Sequence, residues 1–159
     1  MTAHAQFEQF ITDTPLANWS VTSTAIQAAW IAHDGQTDKS GADYYDAHIA
    51  DVVDRLGDEL PAVRAVAYLH DVLEDSDITE DQLRRVLPAD VVSAVVAITH
   101  TPSEPRADYY ARVKANPLAL RVKLADIASN TDPDRLALLD EETRQRLTTK
   151  YAKALEALL

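Results

Sequence analysis

Apolar positions recur every three to four residues along most of the chain, and no stretch sustains the two-residue alternation of a half-buried strand. The pattern predicts a helix over about 20–33, "SVTSTAIQAAWIAHDG", ending at Gly35. A polar connector, "QTDKSGAD", precedes a second helix, "YYDAHIADVVDRL", that stops at Gly57. Pro61 opens a third, "PAVRAVAYLHDVLED", at a position where its missing N–H costs little. Thr79 and Gln82 have the spacing of a capping box for a short fourth helix. Pro88 and Asp90 open a fifth, "ADVVSAVVAIT", and "HTPSEP" is a loop. "RADYYARVKA" is helical until Asn116-Pro117 breaks it, and "PLALRVKLADIASN" continues as another helix. Asp132-Pro133-Asp134 marks a turn before a last amphipathic helix over about 141–158. The expectation is an all-α protein forming one domain over 1–159, its core at about 20–135.

Composition fits this. The chain has 159 residues, 47% of them apolar and 26% charged, enough for one ordinary core, with disorder expected only at the first few residues. It contains no cysteine, so disulfides and thiolate metal sites are excluded. No apolar run approaches the roughly 18 residues of a membrane span, and the N-terminus "MTAHAQFEQF" lacks the features of a signal peptide. A soluble, cytoplasmic protein is expected. The formal charge of −11 argues against a nucleic-acid polymer as partner, since a phosphate backbone is repelled at long range. The basic residues Arg106, Arg112, Lys114, Arg121 and Lys123 nevertheless fall close together, against the single acid Asp108. They are suited to a small anion, especially beside a metal ion.

The stretch "AYLHDVLEDSDITEDQL" sets His70 and Asp71 at the end of an apolar helical run, with Glu74 and Asp75 just beyond. An unpaired carboxylate in a largely buried helix is expensive and seeks a cation or a proton. A divalent ion satisfies imidazole and carboxylate together. Further ligand candidates are His33, His48 and His100, with Asp126 in "VKLADIASN". A set of two histidines and two aspartates supplies two nitrogens and two oxygens, a mixture suited to Mn, Fe, Co or Zn rather than Ca or Mg. In a continuous helix Glu74 and Asp75 lie four residues after His70 and Asp71 and reach over the same face. His33 reads as a structural or rim residue, His4 and His100 as surface residues, and Tyr109-Tyr110 as packing.

The order His48, His70-Asp71, Asp126 resembles that of the HD superfamily of metal-dependent phosphohydrolases. Three blocks more narrowly resemble the hydrolase domain of RelA/SpoT-type alarmone enzymes and their small single-domain relatives: "AHDGQTDKSGADYYDAH" (32–48), "AYLHDVLEDSDIT" (67–79) and "RVKLADIASN" (121–130). The resemblance implies an HD-domain helical bundle around a single divalent ion, Mn²⁺ first. It implies His48, His70, Asp71 and Asp126 as ligands and Glu74-Asp75 as the pair that positions and activates water. Lys39, Ser40 and Tyr44 fall in the block that contacts the nucleotide, and Asn130 matches an asparagine near ribose or phosphate. Lys39, Arg121 and Lys123 are available to neutralise the transferred group.

The expected activity is removal of the 3′-pyrophosphate from (p)ppGpp-like alarmones. The alternatives are a phosphatase acting on nucleoside monophosphates or NADPH, and a catalytically silent nucleotide-sensing module. Two departures bear on the base recognised. Asp38 stands where the bifunctional enzymes have the arginine of Arg-Lys-Ser-Gly, and Thr131-Asp132 follows Asn130 where they have Asn-x-Arg. His48-Ile49 also replaces their His-Pro. The apolar face of the last helix (Leu147, Tyr151, Leu155, Leu158) is expected to close the core, with a homodimer as its other use.

Overall fold

In the computed structural model, which describes residues 1–159, the regular structure is helical. The α-helices are α1 (Ala3–Asp13), α2 (Val21–His33), α3 (Ala50–Leu56), α4 (Pro61–Leu69), α5 (Val72–Asp75), α6 (Glu80–Val86), α7 (Ala89–Ile98), α8 (Arg106–Ala115), α9 (Pro117–Asn130), α10 (Pro133–Leu136) and α11 (Glu141–Leu158). A 3₁₀ turn spans Leu16–Asn18, and a π-helical turn, Tyr45–Ile49, leads into α3.

Side-chain caps fix several helix starts. The Ser20 hydroxyl accepts from Ser23 N–H, Asn116 from Ala119 N–H ahead of Pro117, and Asp140 from Thr143 N–H. Thr79 and Gln82 form both halves of the capping box. Gly57 ends α3 at φ 61°, a conformation that disfavours any side chain.

One core of 33 buried apolar residues joins the helices. Helix α4 packs against α2, α7 and α9, while α9 also meets α3, α8 and α11. Leu69, fully buried at the end of α4, contributes roughly 1.5–3 kcal/mol by leaving water. The same apolar run that buries Leu69 therefore anchors the His70-Asp71 pair that follows. Leu147, Tyr151 and Leu158 are buried, and α11 closes against α8 and α9.

Three features depart from the sequence reading. Helix α1 lies where no helix was expected; Phe7 is buried and stacks on Phe10, and Gln82 donates to the carbonyl of His4. The helix expected over 61–75 is two helices, separated by His70 and Asp71. Asp71 has φ −106° and ψ −1°, in the sparsely allowed bridge region. The helix expected over 44–56 begins as a π turn, whose Ala50 N–H bonds to the Tyr45 carbonyl. No helix is long and apolar enough to cross a membrane.

Candidate metal centre and its cavity

Each backbone irregularity carries a polar side chain inward. The π turn presents His48, the break between α4 and α5 presents His70 and Asp71, and α9 presents Asp126. His48 Nε2 lies 2.9 Å from Asp126 Oδ1 and 3.5 Å from Asp71 Oδ2. His70 Nε2 lies 3.2 Å from Asp71 Oδ2 and 3.4 Å from Asp126 Oδ1. The two Nε2 atoms are 3.2 Å apart. His48, His70 and Asp126 are buried and group as metal-ion donors.

The surroundings fix these groups. His70 Nδ1 is 2.6 Å from the Ala67 carbonyl, which only accepts, so Nδ1 carries the proton and a neutral ring turns its Nε2 lone pair toward the carboxylates. A lone pair facing carboxylates requires a proton or a metal ion between them. Without a metal, burial disfavours a charged His70 ring, but the Asp71 and Asp126 carboxylates outweigh it and hold the ring well above its ordinary pKa. Burial opposes ionisation of Asp126 as well, yet Lys123 and the histidines hold its carboxyl well below the usual range. The grouped donors, two imidazoles and the Asp126 carboxylate with one tautomer already set and Asp71 beside them, fit a divalent transition-metal ion.

Neighbours complete the carboxylate shells. Tyr44 Oη donates to Asp71 Oδ2 at 2.5 Å, Lys123 Nζ to Asp126 Oδ2 at 2.9 Å, and Asn130 Nδ2 to Asp126 Oδ1 at 3.0 Å. Tyr44 and Asn130, expected at the nucleotide, bond instead to the carboxylates of Asp71 and Asp126. His48 Nδ1 lies 3.2 Å from the Ser129 hydroxyl and 3.2 Å from Arg135 Nη1. Arg135 in turn donates to the Ala47 carbonyl at 3.1 Å.

Beside the centre is a cavity of about 360 Å³ that His48, Asp71, Asp126, Glu74 and Asp75 all line. Glu74 and Asp75 reach it from α5, beyond the helix break rather than along one continuous helical face. Both side chains are accessible to solvent, but their carboxyls sit in the concavity. Desolvation there, and then the charge of Asp71, raise both, Asp75 to about 7. Glu74 accepts the backbone N–H of His100 at 2.6 Å. Gln36 Nε2 donates to the Asp75 carbonyl at 2.8 Å, and its Oε1 is 2.7 Å from His33 Nδ1. The connector after α2 is thereby tied to α5.

Lys39 and Ser40 line the cavity as well. Asp38 explains its own presence: Oδ1 accepts from Ser40 N–H, Ser40 Oγ and Ala42 N–H, and Oδ2 faces Arg135 at 3.6 Å. It shapes the loop that carries Lys39, with Gly41 at φ 89° completing the turn.

Two expectations need correction. Arg121 lies outside the cavity and pairs with Glu59 at the surface. Residues two apart on a helix diverge by roughly 200°, so Arg121 and Lys123 cannot share the inward face. His100, read as a surface residue, is half-buried and lines the cavity. His33 is buried and lies outside the grouped donors, and His4 is exposed. Arg106, one of the clustered basic residues suited to a small anion, lines the cavity, and so do Arg135, Lys150 and Tyr151, which no local pattern marked as site residues.

No protein-family model and no curated protein matches the sequence. Among solved structures, the chain is similar to a metazoan ortholog of SpoT that hydrolyzes ppGpp and plays a role in starvation responses. The two are 21% identical, the match covers 87% of this chain and 85% of that one, and the TM-score is 0.74. This chain therefore has the helical fold of a SpoT-type ppGpp hydrolase.

Proposed function

We propose that this chain, read as one HD phosphohydrolase domain over 1–159, is a metal-dependent nucleotide pyrophosphohydrolase that removes the 3′-pyrophosphate of (p)ppGpp-like alarmones. The observation that carries the reading is the convergence of His48, His70, Asp71 and Asp126, from three separate segments, beside a cavity lined by Glu74, Asp75 and several cations. The likeness of fold to a protein that hydrolyzes ppGpp supports it.

In this reading His48, His70, Asp71 and Asp126 hold one divalent ion, manganese first. When bound, such an ion polarises phosphoryl oxygens and makes nearby water more acidic. Glu74, fixed by the His100 N–H, orients the attacking water, and Asp75 accepts its proton. A carboxyl whose pKa is lifted toward neutrality is a better base than an ordinary aspartate. The water oxygen bonds to the phosphorus attached to O3′, the P–O3′ bond breaks, and a proton reaches the 3′-oxygen. The products are pyrophosphate and a 3′-hydroxyl. Lys39 and Lys123 offset the charge of the transferred group, while Ser40, Tyr44 and Asn130 line the nucleotide's path.

The test is product identification with purified, metal-loaded protein. Pyrophosphate released from ppGpp supports the proposal. Inorganic phosphate released from nucleoside monophosphates or NADPH selects the phosphatase reading instead. If every one of these nucleotides stays intact, the enzymatic assignment is wrong.

A further inference from the structure

Helix α5 is four residues long, Val72–Asp75. So short a helix does not hold itself in water, because its first turn fixes several backbone angles for a single hydrogen bond. It nevertheless carries Glu74 and Asp75 into the cavity, so its place is set by contacts from outside. Val72 is buried in the core, and Glu74 accepts the His100 N–H. The far end, Asp75, is tied across the fold to Gln36.

Both ends of the Gln36 amide are committed. Nε2 donates to the Asp75 carbonyl at 2.8 Å and to the Ala32 carbonyl, near the end of α2, at 3.1 Å. Oε1 therefore faces His33 Nδ1, 2.7 Å away, and Nδ1 carries the proton. Burial pushes the His33 imidazole below its ordinary pKa and keeps it neutral. Its Nε2 is buried and meets no partner, so the bond to Gln36 is the one hydrogen bond this buried ring makes. Enclosing a half-satisfied polar ring is costly, and what it secures is the setting of the Gln36 amide. The Gln36 backbone reaches the other side of the site: its carbonyl accepts the Tyr44 N–H at 2.9 Å, and Tyr44 donates to Asp71.

We propose that Gln36, locked by His33, is a positioning residue for Asp75: it sets where the end of α5 stands, and so where the Asp75 carboxyl meets the attacking water. This rests on the hydrolase reading, in which Asp75 accepts that water's proton. Neither Gln36 nor His33 lines the cavity, so both act through Asp75 rather than on the nucleotide. A displacement of about 1 Å at the reacting groups costs on the order of 10²-fold in rate. A residue that only packed α2 against α5 would have no such dependence on the Asp75 carboxyl.

A double-mutant cycle in the steady-state hydrolysis of ppGpp by manganese-loaded protein tests this. Gln36→Met, similar in size but without the amide, is expected to lower kcat about 10–100-fold while KM changes by less than about threefold. Added to Asp75→Asn, the same substitution is expected to cost less than about threefold, because the carboxylate it positions is already gone. His33→Leu is expected to lower kcat about tenfold, and His33→Asn, whose side-chain N–H replaces Nδ1–H, to stay within about threefold of the unaltered protein. The His33 pair keeps Gln36 itself and decides the matter should Gln36→Met fail to fold. Equal losses from Gln36→Met with and without the Asp75 carboxylate overturn the proposal. So does a raised KM at unchanged kcat, or a His33→Asn protein as impaired as His33→Leu. Each of these leaves the hydrolase reading standing, whereas an unaltered protein that leaves ppGpp intact removes that reading and the proposal with it.

Discussion

Tyr44 donates its phenolic proton to Asp71 across 2.5 Å, joining the residue before the π turn to the break between α4 and α5. Partners of metal ligands are typically worth about 10–100-fold in metal affinity. Tyr44→Phe keeps the ring and its contacts with His33 and His48 but leaves Asp71 unheld. It is expected to weaken manganese binding about tenfold, measured by calorimetry, with an unchanged helical circular dichroism spectrum. Unaltered affinity would show that the hydroxyl does not orient Asp71.

Protonation gives the metal-free protein a pH dependence of definite sign. His70 is raised, so its contribution to stability is complete below the unfolded value and is lost as pH rises through the folded one. Asp75 is raised to about 7, so the folded state holds its proton more tightly and stability from this group falls as pH rises toward 7. Asp71 and Asp126 are depressed, and their contributions are lost only in strong acid. The melting temperature of chelated protein is therefore expected to fall as pH rises above the ordinary histidine value of 6.5. Manganese must displace the His70 proton, so its stabilising effect grows over the same range. Melting curves with and without chelator check both slopes, and a rising curve for chelated protein contradicts the assignment.

Lys123 is nearly enclosed, with 16% of its side chain accessible, and Asp126 is its only ion-pair partner. Removing one member of a buried pair costs about 3–5 kcal/mol, because the other charge is left unpaired. Asp126→Ala is expected to lose stability on that scale in urea denaturation of chelated protein. Adding Lys123→Met should restore much of it. A double variant no more stable than Asp126→Ala would place the cost elsewhere.

Glu74 and Asp75 line the cavity without contributing to the grouped metal donors. Glu74→Gln and Asp75→Asn are expected to lower kcat by about 10²–10⁴, the usual worth of a positioned acid–base group, while manganese still binds. Activity of the unaltered enzyme should rise with pH as Asp75 ionises, along a limb displaced below 7 by the nearby bound cation. Loss of metal binding in either variant would instead make that residue a ligand.

The sequence made most helices legible because their ends are local: Ser20, Pro61, Thr79 and Asn116-Pro117 act within one turn. Helix α1 escaped notice although Phe7, Phe10 and Ile11 have helical spacing. The chemistry sits where regularity fails, at the π turn around His48 and the break at His70-Asp71. There, tertiary packing overrides a helical pattern that reads as continuous. The clustering of His48, His70, Asp71 and Asp126 was readable because the blocks that carry the resemblance contain all four. The cavity wall was not, because Arg106, Arg135 and Lys150 come together only when α8, α10 and α11 close over α9. Arg121 misled because charge in a sequence carries no direction, and its face of α9 turns to Glu59.

The central claim is that His48, His70, Asp71 and Asp126 enclose a single ion. Electron paramagnetic resonance of bound manganese counts that ion directly, in the unaltered protein and in His48→Ala and His70→Ala. The expected result is one tightly bound manganese per chain, with bound metal lost in both variants while the fold persists. A protein that binds no manganese, or one whose binding is indifferent to both substitutions, contradicts the account.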